Sequence, residues 1–260
     1  KKINTEKYSV GLSLYKNKIA KIKLSANESA LGPSPKATKE YIKISKNFKE
    51  YPDTDGISLR NTIAKKFNLD VKRIILGSGS DQVLELICKA FLGPKDQVVV
   101  SRYGFIVYRM YSKIYEAKIV FAKEENYTTS VKNILSCITN KTKIVFLANP
   151  NNPTSTYINK QDIIKLRKKL RSNILLVIDD AYFEYVKNKD YESGLKLFSR
   201  SNNVIVTRTF SKIYGLAGLR IGWGYSSRSI IESLYKIKPP FNINKPALAA
   251  AKAAVKDSIW

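Results

Sequence analysis

One stretch, residues 207–222, concentrates side chains that can do covalent and anion-binding chemistry, directly after a short apolar run typical of a buried strand. Lys212 follows Thr209 and Ser211 and precedes Arg220. A lysine amine can form an imine with a carbonyl substrate or an aldehyde cofactor, while hydroxyl and guanidinium groups beside it can hold an anion. The same residues also suit a surface loop in which Lys212 is merely solvated. This stretch alone leaves both interpretations open.

Three further groups of polar residues also follow short apolar runs, at residues 77–81, 149–155 and 179–182. The first is rich in Gly and Ser and precedes a helical pattern, so its backbone N–H groups could bind phosphate, although a purely structural turn also explains it. In the second, two prolines hold the backbone, and we expect its Asn side chains to face outward and recognise a polar group. The third begins with Asp179, a candidate acid or a simple helix cap.

Apolar runs alternate with amphipathic segments along most of the chain, which predicts an α/β fold with a mostly parallel seven-stranded sheet flanked by helices. The predicted strands cover residues 74–76, 97–101, 119–121, 144–148, 174–178, 204–206 and 221–224, with another short strand near residue 23. The predicted helices cover residues 35–46, 58–67, 83–91, 130–138, 159–171, 229–235 and 247–255. Ligands bind at the carboxyl ends of such strands, so we expect the four polar groups to meet there.

Composition narrows the function classes. The 260 residues include 44% hydrophobic ones, enough for a sizeable core in one large domain or two smaller ones. The net charge is +25, yet the lysines are scattered in ones and twos, which argues against a nucleic-acid partner. There is no His, and Cys88 and Cys137 fit no metal-ligand spacing, so we predict no metal site and a buried free thiol at Cys88. No secretory segment or membrane-length apolar run appears, which predicts a cytoplasmic protein without a membrane partner.

Taken together and in order, these motifs resemble the histidinol-phosphate aminotransferases, which are class II aminotransferases of pyridoxal-phosphate fold type I. The matching segments are residues 24–35, 51–53, 77–81, 149–154, 179–182, 211–220 and 240–244. Three segments depart from the family's usual pattern: Ser29 and Ala30 stand in place of Asn and Pro after Glu28, Ser155 in place of Gly, and Asp180 in place of Glu. The resemblance implies a pyridoxal 5'-phosphate cofactor and a homodimer.

The resemblance also implies a role for each matched residue. Lys212 would form the imine with the cofactor and carry the proton between the substrate and the cofactor. Asp179 would pair with the pyridine nitrogen, and Phe105 would stack on the ring. Asn152 and Tyr182 would hydrogen-bond the ring 3'-oxygen. Each has a plainer alternative; Tyr182, for example, could be a core residue.

Phosphate, substrate and subunit contacts follow from the same resemblance. The cofactor phosphate would be held by Ser80, Asp81, Thr209, Ser211 and Arg220. Arg220 could instead make a surface ion pair. Tyr51 would reach the phosphate of the partner subunit, and Asn27 would contact substrate.

The predicted domain organisation has three parts. Residues 1–30 form an N-terminal arm and substrate loop, residues 31–245 form the cofactor-binding large domain, and residues 246–260 begin a helix that leads to a small domain. That C-terminal small domain, with the arginine that grips the substrate carboxylate, is largely missing, so we expect a chain that holds cofactor but is incomplete as a catalyst.

The predicted reaction is transfer of an amino group from histidinol phosphate to 2-oxoglutarate, in histidine biosynthesis. An aromatic amino acid transaminase and a threonine-phosphate decarboxylase would share the fold and the cofactor. A basic anion- or nucleic-acid-binding protein without catalysis is the alternative from another class.

Overall fold

The computed structural model describes residues 14–15, 18–19 and 22–260. Strands β1 (Leu14–Tyr15) and β2 (Lys18–Ile19) pair with each other as a short antiparallel ladder. Most of the predicted N-terminal arm, residues 1–13, 16–17 and 20–21, lies outside the described residues. The predicted strand near residue 23 is wrong: residues 22–30 form turns, a bend and irregular backbone and are mostly exposed.

A seven-stranded sheet organises the rest of the chain. Its strands are β3 (Ile74–Gly77), β4 (Gln97–Ser101), β5 (Lys118–Ala122), β6 (Thr142–Ala148), β7 (Leu175–Asp179), β8 (Val204–Thr209) and β9 (Gly222–Tyr225). They lie in the order β3-β9-β8-β7-β6-β4-β5. Only β9 runs antiparallel to its two neighbours, and every other adjacent pair is parallel. The predicted mostly parallel sheet is therefore confirmed.

Helices cover both faces of this sheet. They are α1 (Pro35–Ile44), α2 (Ile57–Phe67), α3 (Gly79–Phe91), α4 (Ile106–Ile114), α5 (Val131–Ser136), α6 (Lys160–Lys169), α7 (Gly194–Phe198), α8 (Arg228–Tyr235) and α9 (Lys245–Lys256). Short 3₁₀ turns occur at Val71–Arg73, Phe183–Tyr185 and Ala217–Leu219. The helix predicted to end at residue 171 ends at Lys169, and Asn159 caps its start by accepting from the Asp162 N–H.

Alternation along the central strands creates two apolar cores, one on each face. In β7, Leu176 and Ile178 join one cluster, while Leu175 and Val177 join the other. Such strands read as continuous apolar runs because both faces are covered. Cys88 of α3 is fully buried in the second cluster, as predicted. Because apolar side chains pack on both faces of the sheet, the strands hold the side chains at their carboxyl ends in fixed positions.

Helix α9 packs on α1 and α2 through a face of small residues. Ala247, Ala250, Ala251 and Ala254 are buried there. Ala37 of α1 and Ile63 of α2 belong to the same core. The proposed boundary at residue 246 between a large domain and a following helix stays a prediction.

Candidate active site

The carboxyl ends of the parallel strands meet at one edge of the sheet, where a cavity of about 860 Å³ opens. Because β9 is antiparallel, its first residue, Gly222, pairs with the last residues of its neighbours, Thr209 and Gly77. The segment before β9, including Arg220, therefore reaches the same edge. Every predicted site residue except Tyr51 lines this cavity: Asn27, Ser80, Asp81, Phe105, Asn152, Asp179, Tyr182, Thr209, Ser211, Lys212 and Arg220.

Lys212 projects into the cavity from the loop after β8 and is half-buried. Its Nζ donates to the Ala26 carbonyl oxygen at 2.9 Å and lies 5.4 Å from the centre of the Tyr182 ring. Burial lowers the pKa of Lys212 below the ordinary lysine value, although nearby Asp81 opposes this. A lower pKa increases the fraction of neutral, nucleophilic amine at neutral pH.

Asp179 ends the central strand β7 and is buried at the floor of the cavity. Its Oδ2 accepts a 2.8 Å hydrogen bond from the Tyr108 hydroxyl, and its Oδ1 accepts from the Ala181 N–H at 3.2 Å. Burial raises the pKa of Asp179 to about 6, and the Tyr108 hydrogen bond acts in the opposite direction. A buried carboxylate of this kind is suited to hold a positively charged partner group.

An anion cradle lies at the other end of the cavity, where α3 begins. The Ser211 hydroxyl accepts from Thr209 Oγ1 at 3.0 Å and from Arg220 Nη1 at 3.4 Å. Arg220 Nη2 also contacts Asp81 Oδ2 at 3.2 Å. The N–H groups in the first turn of α3 carry partial positive charge, and the Arg220 guanidinium carries a full one. Together they surround one position, which is the arrangement that binds phosphate. Burial raises the pKa of Asp81, while the charges of Arg220 and Lys212 act in the opposite direction.

Two glycines keep this cradle open. Gly79 has a φ of +76°, and a Cβ there would lie 2.5 Å from Arg220 Nη2. A Cβ on Gly222 would collide with the Ser80 amide nitrogen and lie 2.9 Å from the Arg208 carbonyl oxygen. Both neighbours of Gly222 are backbone atoms, which cannot rotate away. Close approach of two backbone segments therefore requires glycine here.

We expect Gly222→Ala to lower the free energy of unfolding by about 1–3 kcal/mol, because the added methyl group overpacks fixed backbone. The same change displaces the Ser80 amide, so binding of inorganic phosphate should weaken too. Gly218→Ala is the matched control, since a Cβ at Gly218 meets nothing within 4 Å. Thermal melts with and without phosphate check both variants, and equal melting temperatures for the two would contradict this account.

The loop at residues 149–155 departs in part from its prediction. Asn149 and Asn151 do not face outward; both are buried. Asn149 exchanges two hydrogen bonds with Ile158, at 2.8 and 3.1 Å, and Asn151 Nδ2 donates to Thr154 Oγ1 at 2.8 Å. Their amides are bonded to atoms of the loop and of neighbouring segments, which leaves Asn152 as the Asn of this loop that lines the cavity. Ser155 has a φ of +59°, which accounts for the Gly usual at that position.

Tyr51 lies away from the cavity lining. Its side chain is 79% exposed, and its ring stacks on Phe241 with centroids 4.5 Å apart. Tyr51 is therefore separated from the other predicted site residues, all of which line the cavity.

Sequence reasoning missed two contacts at the site. Tyr108 lies three residues after Phe105, a spacing that places both rings on one helix face and is typical of core aromatic residues. It is indeed buried, yet its hydroxyl reaches Asp179. The second contact is the Ala26 carbonyl, whose role no side-chain pattern can reveal. Neighbouring Asn27 donates to the Tyr182 hydroxyl at 3.1 Å.

Over the part of the chain that the structure describes, no helix is long and apolar enough to cross a membrane, and no group of three or more Cys, Asp or Glu is placed to hold a metal ion.

Comparison with known proteins agrees with this geometry. Residues 19–259 match the model of the family described as aminotransferase class I and II. The chain is 52% identical to histidinol-phosphate aminotransferase from Pelagibacter ubique, covering 99% of this chain and 71% of the relative. It is 46% identical to the enzyme of that name from Paramagnetospirillum magneticum, covering 92% of this chain and 66% of the relative.

A solved structure is similar as well. The crystal structure of histidinol-phosphate aminotransferase from Sinorhizobium meliloti, in complex with pyridoxal-5'-phosphate, superposes with a TM-score of 0.86 at 28% identity. The match covers 90% of this chain and 64% of that one, so the present chain spans roughly two thirds of these relatives. From the family match and the 52% identity we conclude that the chain belongs to the class I and II aminotransferases and, among them, to the histidinol-phosphate aminotransferase family.

Proposed function

We propose that this protein transfers an amino group from histidinol phosphate to 2-oxoglutarate and that it works as a homodimer. One observation carries the proposal: three different chemical groups line a single cavity. They are the half-buried amine of Lys212, the buried carboxylate of Asp179 and the anion cradle around Arg220. An anion-binding protein without catalysis would have no use for the first two groups. The identity to named relatives supplies the substrate.

The residues present fit pyridoxal phosphate, the cofactor of class I and II aminotransferases. The glycine-lined cradle at the start of α3 matches a phosphate group in charge and in the space it keeps open. The carboxylate of Asp179 matches a protonated pyridine nitrogen, and the amine of Lys212 matches an aldehyde. When bound, the cofactor supplies that aldehyde and a ring that withdraws electrons from the substrate α-carbon.

The cavity residues would orient the cofactor from several sides. Ser80, Asp81, Thr209, Ser211 and Arg220 would bind its phosphate. Asp179 would hold the ring nitrogen protonated, since a charged partner compensates for burial of the carboxylate. Phe105 would lie against the ring, and Asn152 and Tyr182 would donate to the 3'-oxygen. Burial raises the pKa of Tyr182, so its hydroxyl remains a donor at neutral pH.

Lys212 would have two tasks. Its amine would hold the cofactor through the aldehyde group, and as a free amine it would take the proton from the substrate α-carbon. The lowered pKa favours both tasks, because each needs the uncharged amine. Attachment also requires Nζ to leave the Ala26 carbonyl oxygen, its acceptor at 2.9 Å. Asn27, beside Ala26 and bonded to Tyr182, is placed to contact substrate.

The test is a half-reaction with the cofactor-loaded protein. Histidinol phosphate, phenylalanine and threonine phosphate are each added without an oxo acid, and conversion of the cofactor to its amine form is followed by absorbance. We expect conversion with histidinol phosphate to be about tenfold faster or more, since a site built for a polar group discriminates strongly against donors that lack it. Faster conversion with phenylalanine, or release of carbon dioxide from threonine phosphate, would select one of the two alternative activities.

The homodimer is proposed because the family resemblance gives Tyr51 a role in the partner's site. Two observations support this assignment. Tyr51 does not line the cavity of its own subunit, and its ring forms an exposed aromatic pair with that of Phe241. Exposed aromatic clusters are typical of protein interfaces. A cytoplasmic location stays a prediction from the sequence.

A further inference from the structure

Tyr108 is a buried tyrosine for which the family resemblance supplied no role. It lies in the first turn of α4, three residues after Phe105, and its side chain is 3% exposed. Its ring stacks on Phe146 of β6 with centroids 4.9 Å apart and planes 6° from parallel. Phe105 meets the same ring edge-on at 5.7 Å. These two aromatic contacts fix the ring and leave its hydroxyl a single direction.

That direction is toward Asp179, whose Oδ2 accepts from the Tyr108 hydroxyl at 2.8 Å. The other oxygen, Oδ1, accepts from the Ala181 backbone N–H. One donor comes from a helix and the other from the chain just beyond β7. Two donors on different oxygens prevent the carboxylate from rotating about its terminal bond. A hydrogen bond to a charged acceptor also favours the charged form.

We infer that Tyr108 is a positioning residue: it orients the Asp179 carboxylate and keeps it ionised for the cofactor's ring nitrogen. Only the statement about the cofactor's ring nitrogen rests on the proposed function, because the hydrogen bond between Tyr108 and Asp179 is present without the cofactor. The pKa of Tyr108 lies well above the ordinary tyrosine value because of its burial, so the hydroxyl donates at every pH in which the protein works. Without this donor, burial would hold the carboxyl neutral over a wider pH range.

Other groups around Asp179 also set its charge. They are Asp81 of α3, Lys212 after β8, and Asp180 and Tyr182 beyond β7. Asp81 and Asp180 disfavour a second negative charge, and Lys212 favours it. None of these four donates a hydrogen bond to the carboxylate, whereas the Thr207 hydroxyl of β8 adds a side-chain hydrogen bond that favours the charged form and that Tyr108→Phe leaves in place. The contribution of Tyr108 can therefore be isolated by removing one oxygen atom.

The experiment compares Tyr108→Phe with the unmodified protein. Phenylalanine keeps the stacked ring and removes only the hydroxyl. The matched control is Tyr235→Phe, whose hydroxyl on α8 donates to the Ile74 carbonyl oxygen at 3.4 Å, away from the cavity lining. Aspartate carboxyl carbons are labelled with ¹³C, and the Asp179 resonance is identified by its loss in Asp179→Asn. Its titration midpoint is measured before cofactor is added, and the dissociation constant of pyridoxal phosphate is then measured for each protein.

We expect Tyr108→Phe to raise the Asp179 midpoint by about one pH unit and to weaken pyridoxal phosphate binding about tenfold, the usual effect of losing a hydrogen bond to a charged group. Tyr235→Phe should change neither value. An unchanged midpoint in Tyr108→Phe would overturn the inference, and so would a raised midpoint with unchanged cofactor affinity. If the unmodified protein does not bind pyridoxal phosphate at all, the proposed function is wrong. That outcome is distinguishable from the two above, which concern Tyr108→Phe alone.

A second measurement covers the case in which Tyr108→Phe does not fold. Incorporating 3-fluorotyrosine makes every tyrosine hydroxyl a more acidic and stronger donor with little change of shape. The Asp179 midpoint should then move downward in the otherwise unmodified protein. A midpoint that does not move would contradict the inference.

Discussion

Lys212→Ala should abolish covalent attachment of pyridoxal phosphate and lower amino transfer by about 10³-fold or more, since it removes both the attaching amine and the proton-transfer group. The effect is large because the cavity offers no replacement: among the described residues that line it, Lys212 is the only lysine. Its amine already lies inside the cavity beside Tyr182, held by the Ala26 carbonyl oxygen.

The measurement is the mass of the chain after incubation with pyridoxal phosphate and reduction with borohydride. The unmodified protein should gain one cofactor, and Lys212→Ala should gain none at the same site. Lys238→Ala is the matched control, because Lys238 is also partly buried with a pKa lowered by burial, and its Nζ likewise donates to carbonyl oxygens, one of them that of Thr54 at 3.1 Å. A cofactor adduct of equal yield in Lys212→Ala would contradict the assignment.

Asp179→Asn is expected to weaken pyridoxal phosphate binding by about a hundredfold or more, as for the loss of one partner from a buried charged pair. An amide is nearly the same size but cannot balance a protonated ring nitrogen. Amino transfer should fall further still, because an unprotonated ring withdraws electrons poorly. The cofactor-free variant should remain stable, since an uncharged amide is cheaper to bury than a carboxylate.

Asp180→Asn provides the matched comparison. Both carboxyls are buried, and burial raises the pKa of each to about 6. Asp180, however, accepts from the N–H groups of Gly194 and Leu195 at the start of α7 and lies 3.8 Å from Arg208. Asp180→Asn should therefore lower the melting temperature of the protein. Its affinity for pyridoxal phosphate should stay much closer to that of the unmodified protein than the affinity of Asp179→Asn does. Equal losses of affinity in the two variants, measured by equilibrium dialysis, would show that Asp179 has no special role.

The order and type of the strands and helices followed from the sequence because both faces of the sheet are covered. The first residues of buried strands such as β7 and β8 then appear as uninterrupted apolar runs, 175–178 and 204–206, and polar residues mark where each run stops. Lys212, Asp179 and Asn152 stand just after such runs, so the topology of a parallel sheet already required them to converge. Residues 22–30 lack any such pattern, and the strand expected there does not exist.

Contacts that depend on the third dimension could not be deduced this way. The sequence shows a strand at β9, but only the pairing of Gly222 with both Thr209 and Gly77 shows that the strand is antiparallel and brings Arg220 to the cradle. The loop asparagines are chemically alike, and tertiary packing decides that Asn149 is buried and bonded to Ile158 while Asn152 lines the cavity.

The sequence by itself determined the family and the cofactor chemistry and predicted several of the polar residues that line the cavity, because those depend on residue type and on order along the chain. The tertiary structure decided which atoms meet. The Tyr108 hydroxyl reaches Asp179 across 71 residues, and the Ala26 carbonyl reaches Lys212 across 186. Neither contact leaves a local pattern in the chain, since a hydrogen bond requires a distance and an angle that only packing sets.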